Sequence, residues 1–330
     1  MYNDLTHSKK LYTFFYPSVA AIMIQENNAS LVYNGIGERI DTRLTTQFPY
    51  ARNFFHHIIS RGGVLVNNNP IKKSYKLKNG DTIIIDDMSR FLWSEILAEA
   101  PSIDLPIVVE KDDYLVLYKP KGVLSHPNSV RDVWQPSVVG FLYHHYKKLP
   151  TIGNFIRAWL LHRLDKATDG LMIIAKTEKW LAYFKSLFQQ KSNASTTAEK
   201  EAVALHKYYR AISHITATWQ EFLDTIDSFP HYITALVIAK VPHTIPKMGI
   251  TKILSIQKQD DNKIILDIEI LTGRTHQIRY HLSENGLPIV DDYLYGIDEW
   301  WQMQLSAHTL KFIDCDGQNM ECYIPEKFVA

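Results

Sequence analysis

The stretch His162-Arg-Leu-Asp-Lys-Ala-Thr-Asp-Gly-Leu-Met-Ile-Ile-Ala-Lys-Thr177 runs a charged turn into five consecutive apolar residues. An apolar run that short, entered from a glycine and left through Lys176-Thr177, reads as a buried β-strand. The turn before it holds two carboxylates, Asp165 and Asp169. Strand-edge loops are where chemically active side chains gather. Aspartates in turns also accept backbone N–H bonds, and on this stretch alone that structural role is the commoner one.

Outward from this strand, similar runs recur at Tyr114–Tyr118, Ile253–Ile256 and Lys263–Ile270, with helical patterns at Val138–Lys148 and Lys179–Gln190. Strands separated by polar turns, with few helices among them, predict an α+β domain over 107–330 built on a mixed, mainly antiparallel sheet. Within it, residues 191–201 have no apolar period and read as a mobile polar insertion. Upstream, residues 37–88 form a small α+β module: a helix at Ala51–Ile59, strands at Val64–Val66 and Thr82–Ile85, and turns at Asn67–Pro70 and Asn79-Gly80. Residues 1–36 read as an N-terminal extension and 89–106 as a linker.

At 330 residues, 46% apolar and with a formal charge of +1, the chain has room for about two globular domains. Cys315 and Cys322 match neither a zinc-ligand spacing nor a disulfide framework, so a reducing, cytoplasmic setting is expected. The run Leu11–Ile24 after Lys9-Lys10 has the outline of a signal peptide, yet Asp4, Pro17 and the polar Gln25–Asn28 favour a buried element, and the run is too short to span a membrane. Near-neutrality does not exclude a nucleic-acid partner, because the basic residues cluster: Lys72, Lys73, Lys76 and Lys78; Lys119 and Lys121; Arg274, His276 and Arg279.

Three segments place charged groups beside apolar runs, which costs desolvation energy and marks a candidate site. They are the turn around Asp165, the segment His206-Lys-Tyr-Tyr-Arg-Ala211, and Leu271-Thr-Gly-Arg-Thr-His-Gln-Ile-Arg-Tyr-His281. An arginine in an apolar frame wants a carboxylate. Pairing Arg279 with Asp165 would keep that carboxylate ionised.

Together with KPKGVLSHP at 119–127, the segments HRLDKATDGLMIIAKT, HKYYRA and LTGRTHQIRYHLSENGLPIVDDYLYG resemble, in order, the motifs of the RluA-like RNA pseudouridine synthases. The module RIDTRLTTQFPYARNFFHHIISRGGVLVNNNPIKKSYKLKNGDTI at 39–83 resembles the S-four (alpha-L) RNA-binding domain. The first resemblance implies that Asp165 is the catalytic carboxylate, Arg279 the basic residue paired with it, and Tyr209 the ring that stacks on the target base. It implies that Arg163 fills the gap left by the extruded uridine and that Ile278 packs against the site. His162, Arg274 and His276 would contact the RNA backbone or orient the loop. The second implies phosphate contacts from Arg39, Arg43, Arg52, Lys72 and Lys76. The partner would be RNA, large-subunit ribosomal RNA above others, with no cofactor, metal or membrane, for a monomer.

The chemistry such a site performs breaks a carbon–nitrogen glycosidic bond, rotates the uracil and joins its carbon to the same ribose. The carboxylate either attacks the anomeric carbon or removes the neighbouring ribose proton, and the resemblance leaves both open. The base must leave its stack to be reached. Three positions depart from the family's usual residues: Asp169 replaces a small hydroxyl, Ala167 an acid, and Ser306 a histidine. A zinc deaminase lacks its cysteine pair here, and a glycosidase its second carboxylate. A non-catalytic RNA-binding protein on the same scaffold stays as the alternative, as does a synthase acting on transfer RNA.

Overall fold

The computed structural model describes residues 29–48, 52–86, 97–98, 100–127, 132–146, 160–216, 228–241, 244–260, 262–297 and 302–328. The apolar run at 11–24, the first part of the expected linker and Lys147-Lys148 of the expected helix lie outside them. The chain divides into two compact units, Met1–Arg90 and Phe91–Ala330.

In the first unit, Ile40 and Leu44 line one side of α1 (Ile40–Gln47), and Phe54, Phe55, Ile58 and Ile59 one side of α2 (Arg52–Ser60). Residues three and four apart share a helix face, so each helix has one apolar stripe to bury. The sheet is antiparallel in the order β1-β4-β2-β3, from β1 (Ala29–Val32), β2 (Val64–Val66), β3 (Asn69–Pro70) and β4 (Thr82–Ile85). Asn67 and Asn68 make the β2–β3 turn with φ of 51° and 63°, a conformation asparagine tolerates better than most side chains. Strand β1 comes from the segment expected as an extension. It pairs Ala29 to Ile85 and Val32 to Thr82, and Tyr33 after it is buried, so the module reaches back before residue 37.

The second unit carries a nine-stranded sheet. Its strands are β5 (Ile107–Glu110), β6 (Tyr114–Lys119), β7 (Asp169–Ala175), β8 (Leu205–His214), β9 (His231–Val237), β10 (Lys247–Lys258), β11 (Lys263–Ile270), β12 (Leu305–Ile313) and β13 (Asn319–Tyr323). The order is β5-β6-β7-β12-β8-β11-β10-β9, with β13 on β12. Every named ladder is antiparallel except β7–β12, which pairs in parallel at Asp169–Ser306 and Gly170–Ala307 only. This is the α+β, mainly antiparallel class expected. Helix α3 (Val138–His145) is capped by Ser137, which accepts a bond from the Gly140 N–H at 3.0 Å, and it stops at the extended Tyr146. Helix α4 (Glu178–Asn193) buries Trp180, Leu181, Phe184 and Leu187; Trp180 stacks on Tyr114 of β6 at 4.5 Å, and Phe184 meets Phe312 of β12 edge-on.

Two expectations need correction. Residues 191–201 are helical for most of their length: α4 runs to Asn193 and α5 spans Thr197–Ala202 behind a Thr196–Glu199 capping box. No apolar period is needed, because the polar heads turn inward onto backbone. Lys191 Nζ donates to the Leu205 carbonyl at 2.6 Å, Lys200 Nζ donates to the carbonyls of Lys191 and Ala194, and Glu201 pairs with Lys252 of β10 at 2.5 Å. The later part of the supposed linker is also built in. Leu97, Ala100 and Leu105 are buried, and His144 of α3 bonds the Ala100 carbonyl at 2.9 Å.

Candidate active site

Asp165 lies in the turn that leads into β7, and the strand before it holds that turn in place. Lys119 of β6 is fully buried and donates to the carbonyls of Pro120 and Val123 at 3.0 and 2.9 Å, which shapes the turn after the strand. Beyond it, the Ser125 hydroxyl donates to the Leu164 carbonyl at 2.7 Å and accepts the Leu164 N–H at 2.9 Å. The Gly122 N–H bonds the Lys166 carbonyl at 2.8 Å. Three bonds thus bracket Asp165 on both sides. Behind the turn, His162 Nε2 accepts the Ile173 N–H at 3.1 Å, and burial lowers the imidazole's pKa to about 3, so His162 is a neutral backbone anchor. Asp169 accepts from Tyr118 at 2.8 Å and from Ser306 at 2.7 Å, tying β6, β7 and β12 together.

The opposite wall is the loop before α6 (Gln277–Glu284). The Gln277 side chain accepts the Thr272 hydroxyl and the Arg274 N–H and donates to Ile250 and Thr251, which folds the loop back onto β10. His276 enters the helix with φ of 57°. Its Nδ1 lies 3.0 Å from the Tyr295 hydroxyl, which itself accepts the Lys240 N–H. Burial lowers the pKa of His276, with Asp165 opposing. In the neutral ring, a Tyr295 proton donated to Nδ1 leaves the ring's own proton on Nε2, which faces Asp165 at 3.6 Å.

Arg279, on the next turn of α6, is buried and aims its fork elsewhere. Nε and Nη2 donate to Asp292 at 2.7 and 2.6 Å, and only Nη1 is left facing Asp165, at 3.5 Å. Asp292 is fully buried and also accepts the N–H groups of Leu294 and Tyr295. The guanidinium further lies over the Tyr295 and Tyr293 rings at 5.0 and 5.7 Å. The partnership expected between Arg279 and Asp165 is therefore secondary to one with Asp292. A planar guanidinium spends its two parallel donors on one carboxylate.

Asp165, Arg163, His162, Tyr209, Arg274, His276, Ile278 and Arg279 all line one cleft of about 310 Å³, with Leu161, Phe188, Lys207 and Leu271 among its other walls. Tyr209 is buried, and burial together with Asp165 raises the pKa of its hydroxyl, so it is a neutral phenol at pH 7. A cleft of this size holding one carboxylate, a buried aromatic ring and several cations suits a single flat base joined to a charged backbone.

Residues 113–284, which contain the walls of this cleft except Leu305, match the family model described as RNA pseudouridylate synthase. The chain belongs to that family. It is an RNA pseudouridine synthase, an isomerase. The chain is 33% identical to the ribosomal large subunit pseudouridine synthase D of Salmonella typhimurium, over 81% of this chain and 76% of that one. It is 32% identical to the protein of the same name in Escherichia coli K12, with the same coverage, and 28% identical to an uncharacterized RNA pseudouridine synthase of Mycoplasma pneumoniae, over 79% and 78%.

Sequence reading of this pseudouridine synthase missed Asp292, Tyr295, Ser125 and Lys207 as parts of the site. Each lies within a motif already quoted. The paired Asp291-Asp292 next to two tyrosines was the available signal for a buried carboxylate. In the first unit, Arg39 and Arg52 grip the buried Asp41, Arg43 lies over the Tyr33 ring at 5.7 Å, and Lys72 and Lys76 are exposed.

Proposed function

We propose that this chain isomerises a uridine of large-subunit ribosomal RNA, with Asp165 as the carboxylate that acts on the ribose. The observation that carries this reading is the setting of Asp165. It is the carboxylate of the cleft, 19% exposed, with Arg279 and His276 donors at 3.5 and 3.6 Å and Tyr209 in the same walls. Two positive or donor groups face one oxygen without saturating it, so the carboxylate keeps lone pairs for a ribose atom. Attack at the anomeric carbon and removal of the 2′ proton both need an unsaturated, ionised carboxylate, and both release the uracil with the bonding electrons. Tyr209 stacks on the base and offsets part of the few kcal/mol spent in unstacking it. Arg163, exposed at the rim, takes the place the base leaves, and Arg274 meets backbone phosphate.

The first unit is an S-four-like RNA-binding module in this reading, with exposed Lys72 and Lys76 beside Arg39, Arg43 and Arg52 as the phosphate-facing groups. The ribosomal target draws support from the relatives named for the large subunit. The test is complementation of cells lacking the gene, followed by mapping of pseudouridine in large-subunit ribosomal RNA. The wild-type chain should restore at least one modified position and Asp165→Asn none. Restoration by Asp165→Asn would remove Asp165 from the chemistry; an unchanged map with the wild-type chain would remove the ribosomal target.

A further inference from the structure

Among the described residues of the second unit four lysines are buried, and three of them donate to carbonyls. Lys119 donates to two carbonyls, Lys191 to one with Glu269 at 3.9 Å, and Lys200 to two. The fourth, Lys207, is 8% exposed, and among the described residues no carboxylate or carbonyl is bonded to its Nζ. Its ammonium reaches into the cleft, 5.3 Å from the centre of the Phe188 ring. A side chain at Gly273 would stand 3.5 Å from it, so Nζ lies against the loop opposite. The stem is buried and the ammonium opens onto the cleft, which is where an acceptor can arrive.

The position says which acceptor. Lys207 and Tyr209 are two apart on β8 and both belong to its buried face, since alternate residues of a strand point the same way. Asp165 acts on Tyr209, whereas the charge chiefly felt by Lys207 is Lys191. A base held over Tyr209 with its ribose at Asp165 would have Lys207, two residues along the same strand face and in the same walls, as a neighbouring ammonium. We propose that the Lys207 ammonium is a catalytic group that stabilises the uracil anion released when the glycosidic bond breaks. This rests on the assignment of Asp165 above. The bond from C1′ to N1 breaks and its electron pair leaves with the uracil, spread over N1, O2 and O4. C5 then bonds C1′, displacing the Asp165 carboxylate on the one route or, on the other, adding to the glycal while Asp165 returns the 2′ proton; C5 gives its proton to solvent and N1 takes one up. Both routes open to Asp165 pass through the same anion, and a preorganised cation in the cleft wall acts where that charge develops.

The ionisable groups on the elements packed around Lys207 are His162 before β7, Lys191 on α4, Arg274 and His276 before α6, and Glu269 on β11, which is held by His206, Lys191 and Lys252. Burial, then Lys191, pushes the Lys207 pKa down to about 7 in the free protein. The subsaturating rate therefore falls as pH rises through that value.

The test uses the full chain and total RNA from cells lacking the gene, labelled with tritium at uracil C5, which is released when C5 joins the ribose. Lys207→Met should slow release on the order of 100-fold while RNA retention on filters changes by less than about threefold. Lys207→Arg should recover much of the rate and lose the alkaline fall. Release by Lys207→Met within threefold of wild type, a parallel loss of RNA retention, or an unchanged alkaline fall in Lys207→Arg would each overturn the proposal. Should Lys207→Met not fold, the pH profile of Lys207→Arg alone decides. Asp165→Asn is run beside them: release by that variant sinks the Asp165 assignment, whereas an inactive Asp165→Asn beside a fully active Lys207→Met sinks only the role of Lys207.

Discussion

Asp41 in the first unit and Asp165 in the second both face arginine, the one from a closed ring and the other across a gap. Asp41 is wholly buried and takes Nε and Nη2 of Arg39 at 3.0 and 2.9 Å, the same two groups of Arg52 at 3.0 Å, and His56 at 2.8 Å. Bonds led by Arg39, with Arg52 and His56, hold its carboxyl far below the usual aspartate range against the cost of burial. Asp165 meets Arg279 and His276 at 3.5 and 3.6 Å and opens into the cleft. A carboxylate whose lone pairs are all occupied fastens a fold. One that is faced but not filled is available to a substrate.

Breaking each partner in turn tests that contrast. Asp165→Asn, which should abolish isomerisation, should leave thermal stability within about 1 kcal/mol of wild type, because a half-open, weakly bonded group carries little of the fold. Asp292→Asn should do the reverse first. It leaves the Arg279 guanidinium buried without its bidentate partner, and calorimetry should register a loss of about 3–5 kcal/mol in the second unit, with activity falling as Nη1 drifts from Asp165. Asp41→Asn should cost the first unit about 1–3 kcal/mol, since half-exposed Arg39 and Arg52 can rehydrate, and should weaken RNA retention while the rate on bound RNA persists. A normal rate with normal stability in Asp292→Asn would dissolve the contrast. A further effect is on the acid side. Burial lowers the His57 pKa from 6.5 to about 4 in the folded first unit. The unfolded chain therefore binds the extra proton first, and the stability that His57 contributes falls as pH drops from about 6.5 to about 4, after which the loss from this group is complete. Urea titrations across that range should show the fall, and His57→Phe should flatten it.

The cleft was legible in sequence because its chemistry is carried by short motifs, and Asp165, Tyr209 and Arg279 come together from three of them. The fold class followed from runs such as Lys263–Ile270, which is β11 to the residue. What stayed hidden has physical reasons. Arginine's need for a carboxylate names no particular one, and the choice of Asp292 depends on the turn after α6 bringing residues 279 and 292 together. Helix α5 has too few residues for an apolar stripe and is fixed by lysine heads on carbonyls, a pattern with no period to read. Strand β1 is four residues long, and its membership in the sheet is decided by its partner, β4.

Gly170, with φ of 127°, lies where β7 meets β12, and any side chain there would run into the backbone of Ala307. One residue before it in each strand, Asp169 and Ser306 bond each other across the same two-residue seam. The two halves of the sheet thus hold matched parts of a lock. A chimera that takes β7 from this chain and a β12 without the serine would strip the buried Asp169 of one of its two hydroxyl donors, so recombination across this seam should succeed only when both positions travel together.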